Sequence, residues 1–331
     1  MESVVSEIKA LISQKSKSET NSDIEIEIGV KNAASENQAL ELGRSVSYIV
    51  GAMLINEGRI VLIKEAKPSC RGKWYFPAGR LNKNESLEEG VKREVLEETG
   101  YEFQPTALIC VDSLRLYNRW FRFTFVGRIT GGKLKSLEEQ DKESMEAKWF
   151  TKDEVLQLDL RAKDFLPLID IALNWDKSKK QNPLFSSLPV RKAHDKTFVR
   201  VIMISRKCET DDEGAVMQVL VRKLANGVMN LPMVSPNNGD DYLFQTVKSL
   251  VTYRDNLLVP HKVHGLISIE HVGKPHGFAD GVCFSILAEA TEMQCSLPED
   301  FVWHPIRNKQ TYNKVIELIK CDGCIKEHFH H

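Results

Sequence analysis

Apolar and polar positions fall into a regular pattern from Ser45 onward. VSYIVGAMLIN and RIVLIKEAK are two apolar runs on either side of the turn residues Asn56, Glu57 and Gly58, and predict two strands. CRGKWYFPAGR then leads into a segment of different period. Leu87, Val91 and Val95 recur every fourth residue, the buried stripe of a helix. Ser86 and Glu89, three residues apart, form a capping box that starts this helix, and Gly100 is the C′ residue that ends it. The helix is then about thirteen residues long. TALICVDSL and WFRFTFVGRIT predict two more strands, GGK a turn and AKWF a short strand. Residues 152 to 174 hold two helical stretches, including FLPLIDIALNW. The pattern is that of a mixed sheet with helices on its faces.

Outside this region the pattern changes. Ser3 to Ile12 can form a short helix with Val4, Ile8, Leu11 and Ile12 on one side. Residues 14 to 44 are rich in Ser, Asn, Lys and Glu, so residues 1–44 are expected to be mostly flexible. The alternation in Asp23 to Val30 leaves an added strand open there. Residues 176–195 are charged and contain Pro, as a linker does. Residues 196–320 replay the earlier region. IVLIKEAK resembles MQVLVRKL, WYFPAG resembles MNLPMV, and VKREVLEETG resembles VKSLVTYRDN. Val219 lies 158 after Val61, Pro232 lies 155 after Pro77, Val247 lies 156 after Val91, and Trp303 lies 154 after Trp149. A nearly constant offset is the mark of a duplicated domain. An unrelated α/β domain with similar strand order is the alternative.

Chemistry concentrates between Gly79 and Tyr101, GRLNKNESLEEGVKREVLEETGY. Glu94, Glu97 and Glu98 stand at i, i+3 and i+4 and share a helix face. Three adjacent carboxylates repel one another, and hard divalent cations relieve that repulsion. Such ions would clamp a diphosphate and lower the pKa of a water. A solvated acidic face would not require the distant Glu85 or the neighbouring Arg93.

The stretch reads G-x5-E-x7-R-E-V-L-E-E-T-G-Y and resembles, without departure, the signature box of the Nudix hydrolases. The resemblance implies an α/β/α sandwich and hydrolysis of a diphosphate linked to another group. It implies Mg²⁺, with Mn²⁺ as an alternative ion, held by Glu94, Glu97, Glu98 and the carbonyl of Gly79. Glu85, Arg93 and Gly100 take structural roles. AKPSCRGKWYFPAGR and the later TGGKLK run are similar to the animal MutT homolog 3 class within that family. That similarity implies an oxidised guanine nucleoside diphosphate, 8-oxo-dGDP or 8-oxo-GDP, as substrate and a catalytic domain over 45–175. Residues 196–320 would be a degenerate Nudix-like α/β domain without catalysis. There Gly79, Arg93, Glu94, Glu97 and Glu98 are replaced by Val234, Ser249, Leu250, Tyr253 and Arg254. ADP-ribose or a nucleotide sugar is the alternative substrate, and a nucleotide-binding regulatory protein the alternative of another class.

Other candidates are less determined. Trp149 can stack on a base or pack in the core. Arg80, Lys73 and Arg71 flank the box and can meet phosphate or simply face solvent. Glu143, in an acidic segment with Glu138, Glu139, Asp141 and Glu146, is either a further ligand or base, or solvated surface. Cys321, Cys324, His328, His330 and His331 have zinc-ligand residue types, but residues 321–331 read as a flexible tail.

Composition adds exclusions. A net charge of −1 over 331 residues carries no electrostatic footprint for long nucleic acid. Seven scattered cysteines do not make a disulfide scaffold. No apolar run approaches membrane-spanning length, and neither a signal-peptide core nor a transit peptide is evident. The expectation is a cytoplasmic enzyme acting on a nucleoside diphosphate, with oligomeric state undetermined.

Overall fold

The computed structural model describes residues 6–9, 11, 39–114, 119–179, 188–206, 210–211, 214–215, 217–236, 243, 247, 252–253, 256–257, 260–290, 299–320 and 326–330. The chain forms two compact units. One comprises Glu41–Pro189, Val272–His276 and Lys326–His331; the other comprises Met1–Leu40, Val190–His271 and Gly277–Ile325.

The unit that carries the box has strands β1 (Val46–Ala52), β2 (Ile55–Asn56), β3 (Arg59–Glu65), β4 (Trp74–Tyr75), β5 (Ala78–Arg80), β6 (Tyr101–Leu114), β7 (Arg119–Gly132) and β8 (Ser144–Phe150). Its helices are α1 (Leu87–Thr99), α2 (Lys152–Val155) and α3 (Leu166–Lys179). The two apolar runs either side of Asn56 enter different sheets. β1 pairs parallel with β7 and antiparallel with β5, whereas β3 pairs antiparallel with β8, β4 and β2. The chain turns between them at Glu57 and Gly58, both at positive φ. Leu62, Phe76, Ile109, Phe165, Leu168 and Ala172 form the dry core between sheet and α3. α3 runs to Lys179, four residues beyond the 175 boundary read from the sequence.

A buried charged network also braces this unit. The Arg122 guanidinium donates to Asp112 at 2.9 Å, to the Tyr75 hydroxyl at 2.7 Å and to Asp164 at 2.6 Å. Burial pushes the Tyr75 hydroxyl above its ordinary value. Backbone bonds between Trp74 and both Asp159 and Arg161 hold the same loop to β4.

The sequence reading of 321–331 as a flexible tail needs correction. Lys326–His330 form β20, which pairs parallel with β6 from Cys110 to Leu114. β6 is an edge strand with unpaired backbone groups, and a short fifth strand satisfies them. Cys321 and Cys324 lie outside the described residues.

The second unit contains β9 (Thr197–Ser205), β10 (Thr210–Asp211), β11 (Gly214–Ala215), β12 (Met217–Lys223), β13 (Met229–Asn230), β14 (Met233–Val234), β15 (Thr252–Tyr253), β16 (Asn256–Leu257), β17 (Pro260–Glu270), β18 (Val282–Ala290) and β19 (Phe301–Ile306), with helix α4 (Lys309–Lys320). Its pairings repeat those of the first unit with one addition, β12 antiparallel to β9, which joins the strands into a single seven-stranded sheet. β9 is parallel to β18 and antiparallel to β14, β17 is antiparallel to β18, and β12 is antiparallel to β19 and β13. Val199 faces Val234 as Val50 faces Gly79. The match slips by one residue at the last strand: Trp149 faces Val61, but Trp303 faces Leu220 rather than Val219. The helix expected through VKSLVTYRDN does not reach Tyr253, which lies in β15. Leu243 and Val247 are helical and buried, while Ser249, Leu250 and Arg254 lie outside the described residues.

Near the start of the chain, Ser6–Lys9 and Leu11 are helical, and Ile8 and Leu11 are buried in the core of the second unit with Val219, Val221, Leu287 and Val315. That part of 1–44 is therefore packed rather than flexible. Residues 12–38, including Asp23 to Val30, lie outside the described residues. No helix among the described residues is long and apolar enough to cross a membrane.

His194, Glu270 and Cys283 bring their polar atoms within 4.8 Å of one another in the interior of the second unit. Arg200 and His194 already hold the two Glu270 oxygens, at 2.7 and 2.8 Å. The cluster is thus a neutralised ion network. Burial works against the Glu270 charge, but His194 and Arg200 hold its pKa down at about 2. A depressed carboxylate stabilises the fold above the unfolded pKa and loses that contribution as pH falls through the folded one. Glu270→Gln should destabilise the fold near neutral pH, but by less than the about 3–5 kcal/mol of a fully uncompensated buried charge, since Arg200 keeps Glu7 at 3.3 Å. In urea titrations the gap between wild type and variant should shrink between about pH 5 and about pH 2.

Candidate active site

The site is built on α1. Ser86 caps it in full: its hydroxyl accepts from the Glu89 amide while Glu89 accepts from the Ser86 amide at 2.8 Å. Gly100, at φ 78, closes the other end in the left-handed conformation. Leu87, Val91 and Val95 are buried, as their spacing predicts. The last carbonyls of the helix are also bound. Lys135 Nζ donates to the Glu97 carbonyl at 2.5 Å, the Lys135 amide to Thr99 at 2.8 Å, and Ser144 Oγ to the Glu98 carbonyl at 2.7 Å. A cation at a helix C-terminus complements the dipole there.

Arg93 organises the acidic face. Two of its nitrogens grip Glu85 at 2.8 and 2.9 Å, and one of them also donates to the Arg80 carbonyl at 3.0 Å. The third nitrogen donates to Glu94 at 2.7 Å and to Glu97 at 3.1 Å. The charge-assisted fork with Glu85 raises the Arg93 pKa further. Glu98 has no such partner. It is 1% exposed, accepts from the Ala78 amide at 2.8 Å and has Lys67 Nζ at 3.9 Å. Burial, with the charge of Glu94, pushes the Glu98 carboxyl well above the usual range. Burial likewise raises Glu94. Gly79 lies on β5 against Glu94, where a Cβ would collide with that carboxylate.

This is a glycine backbone packed on Glu94, one of three carboxylates, two of them buried, on one helix face. The NUDIX domain family matches residues 47–169. The zebrafish (Danio rerio) protein named 8-oxo-dGDP phosphatase NUDT18 is 32% identical over 89% of this chain and 91% of its own length. The chain belongs to the Nudix family. The human NUDT18 protein is 29% identical over 85% of this chain and 86% of its own length. A Caenorhabditis elegans protein named putative nudix hydrolase 1 is 34% identical over 63% of this chain and 58% of its own length. The chain is a Nudix hydrolase, and Nudix hydrolases use divalent metals.

The residues present fit such an ion. All the donors are oxygens, as hard divalent cations require. The glycine at position 79 leaves its backbone open to close approach. Carboxylates pressed together and buried, as Glu94 and Glu98 are, gain from a cation what they lose in hydration.

The flanking candidates take other positions. Lys73 turns to Asp159 at 3.8 Å. Arg71 donates to the Ala66 carbonyl at 3.2 Å. Arg80 meets Arg93 through its backbone, and its side chain is exposed. Glu143 pairs with Lys142 at 3.5 Å, while the neighbouring Asp141 accepts from Lys135 at 3.0 Å. Trp149 is half-buried, and its ring nitrogen donates to the Tyr101 hydroxyl at 3.3 Å.

Sequence reasoning missed Lys67, Lys135, Glu65 and the pentapeptide Val272–His276. Lys135 belongs to the TGGKLK run, whose turn places it under the helix end. The pentapeptide had no local signal. Lys274 reaches Glu89 at 2.9 Å, and the His276 amide donates to Asn84 at 2.8 Å. Burial works against the Glu89 charge, but Lys274 and Ser86 together lower its pKa to about 2.

Gly79→Ala tests the cradle. The colliding atoms are the far end of a flexible side chain, so the fold should survive while the Glu94 carboxylate is displaced. Turnover with divalent cation should fall on the order of 100-fold, as misplacement by about 1 Å does. Circular dichroism should remain that of the wild type.

Proposed function

We propose that the chain hydrolyses 8-oxo-dGDP, and 8-oxo-GDP, to the monophosphate and inorganic phosphate, using Mg²⁺ or in its place Mn²⁺. The observation that carries this reading is similarity over nearly the whole chain to proteins named 8-oxo-dGDP phosphatase, together with an intact set of box glutamates. Glu94, Glu97, Glu98 and the Gly79 carbonyl would hold the ions. When bound, the ions neutralise charge developing on phosphorus and make water a better nucleophile. Glu85 and Arg93 fix the loop before the helix, so that the Gly79 carbonyl and the carboxylates keep their relative positions. Lys67, 3.9 Å from Glu98, would meet the phosphate chain. Water adds to phosphorus, the anhydride P–O bond breaks, and the nucleotide leaves as monophosphate.

The repeated strand pairing supports a second, Nudix-like unit that has lost its centre. Val234 occupies the place of Gly79, and Tyr253 lies in a strand. Its role is then to support the chain rather than to hydrolyse.

Two measurements test these readings. With Mg²⁺, kcat/KM for 8-oxo-dGDP should exceed that for ADP-ribose by more than about 100-fold, since polar groups left unmet penalise the wrong ligand. An ADP-ribose preference would reverse the substrate assignment. Replacing both Glu97 and Glu98 by Gln keeps shape and removes charge. Turnover should drop by about three orders of magnitude while the fold remains, because the ions organise both nucleophile and leaving group.

A further inference from the structure

Glu65 ends β3 and is 1% exposed. One carboxylate oxygen accepts from Arg161 at 2.6 Å. The other, Oε2, is buried without a hydrogen-bond partner. A buried carboxylate oxygen left unpaired is costly, and its presence calls for a water or an ion. Glu65 lies opposite Ser144 in the β3–β8 ladder, and Ser144 Oγ binds the Glu98 carbonyl. Two residues further on, Lys67 Nζ stands 3.9 Å from the Glu98 carboxylate. The chain from Glu65 to Lys67 therefore runs past Glu98.

We propose that Glu65, outside the signature box, is a fourth acidic residue of the cation centre. Arg161 holds Oε1, leaving Oε2 to serve the ion. Arg161 is itself steadied by Tyr75, whose ring centroid lies 4.8 Å from the guanidinium carbon. The inference rests on the divalent-cation reading of the box. It adds that this chain tunes its affinity for the ion through the balance between Glu65 and Arg161.

Mn²⁺ binding to the full chain without substrate, followed by electron paramagnetic resonance, tests it. Glu65→Gln should weaken Mn²⁺ binding about tenfold, the effect typical of residues that support metal ligands. Arg161→Gln should tighten it, because it leaves the Glu65 charge uncompensated beside the site. Glu65→Gln binding within about twofold of wild type, below the effect expected of a supporting group, would reduce Glu65 to a structural partner of Arg161. Should Glu65→Gln fail to fold by circular dichroism, Arg161→Gln decides alone: tighter binding supports the proposal, and unchanged or weaker binding overturns it. Wild-type protein that binds no Mn²⁺ would overturn the cation centre itself, and this inference with it. Normal wild-type binding with an unaffected Glu65→Gln variant overturns the role of Glu65 alone.

Discussion

Three carboxylates on one face of a thirteen-residue helix cannot stand together without a counter-charge, and Arg93 provides it. A single guanidinium ties Glu85, Glu94, Glu97 and the Arg80 carbonyl into one unit. It neutralises part of the repulsion and joins the loop to the helix. Glu98 is the member outside its reach, and the one whose proton burial holds most firmly. The division is physically sensible. Buried Glu94 and exposed Glu97 are both tied to Arg93, and buried Glu98 keeps its electrostatic demand for a cation.

The box helix was legible residue by residue, because its signals are local. A capping box, a stripe of period four and a terminal glycine lie within fifteen residues and need no tertiary partner to be read. The strands were legible as apolar runs, but their partners were not. Nothing in VSYIVGA or RIVLIKE says that one joins β7 and β5 while the other joins β8 and β4. The isolated lysines and arginines were least legible. Lys73 and Lys67 look alike in sequence, yet one turns to Asp159 and the other to Glu98. Glu65 reads as the polar end of an apolar run. Only burial and the reach of Arg161, nearly a hundred residues on, give it significance.

The second unit pairs its strands much as the first does. Its ladders repeat those of the first unit, since they follow from apolar strands and sheet packing. A buried carboxylate recurs as well, Asp112 on β6 in one unit and Glu270 on β17 in the other, but with cations from different strands: Arg122 on β7 and Arg200 on β9. The compensation is conserved in kind, not in position. After β14 the second unit has a short hairpin, β15 with β16.

β20 carries a consequence for the order of events during synthesis. Cys110 and its strand neighbours emerge from the ribosome long before Lys326, about two hundred residues later, is made. Contacts so distant along the chain are the slow ones to form. Until they form, the β6 edge of the nascent sheet stays open to pairing with another chain, and the growing polypeptide is then most exposed to association. A substitution that breaks the Lys326–His330 ladder would reopen that edge in the folded unit as well.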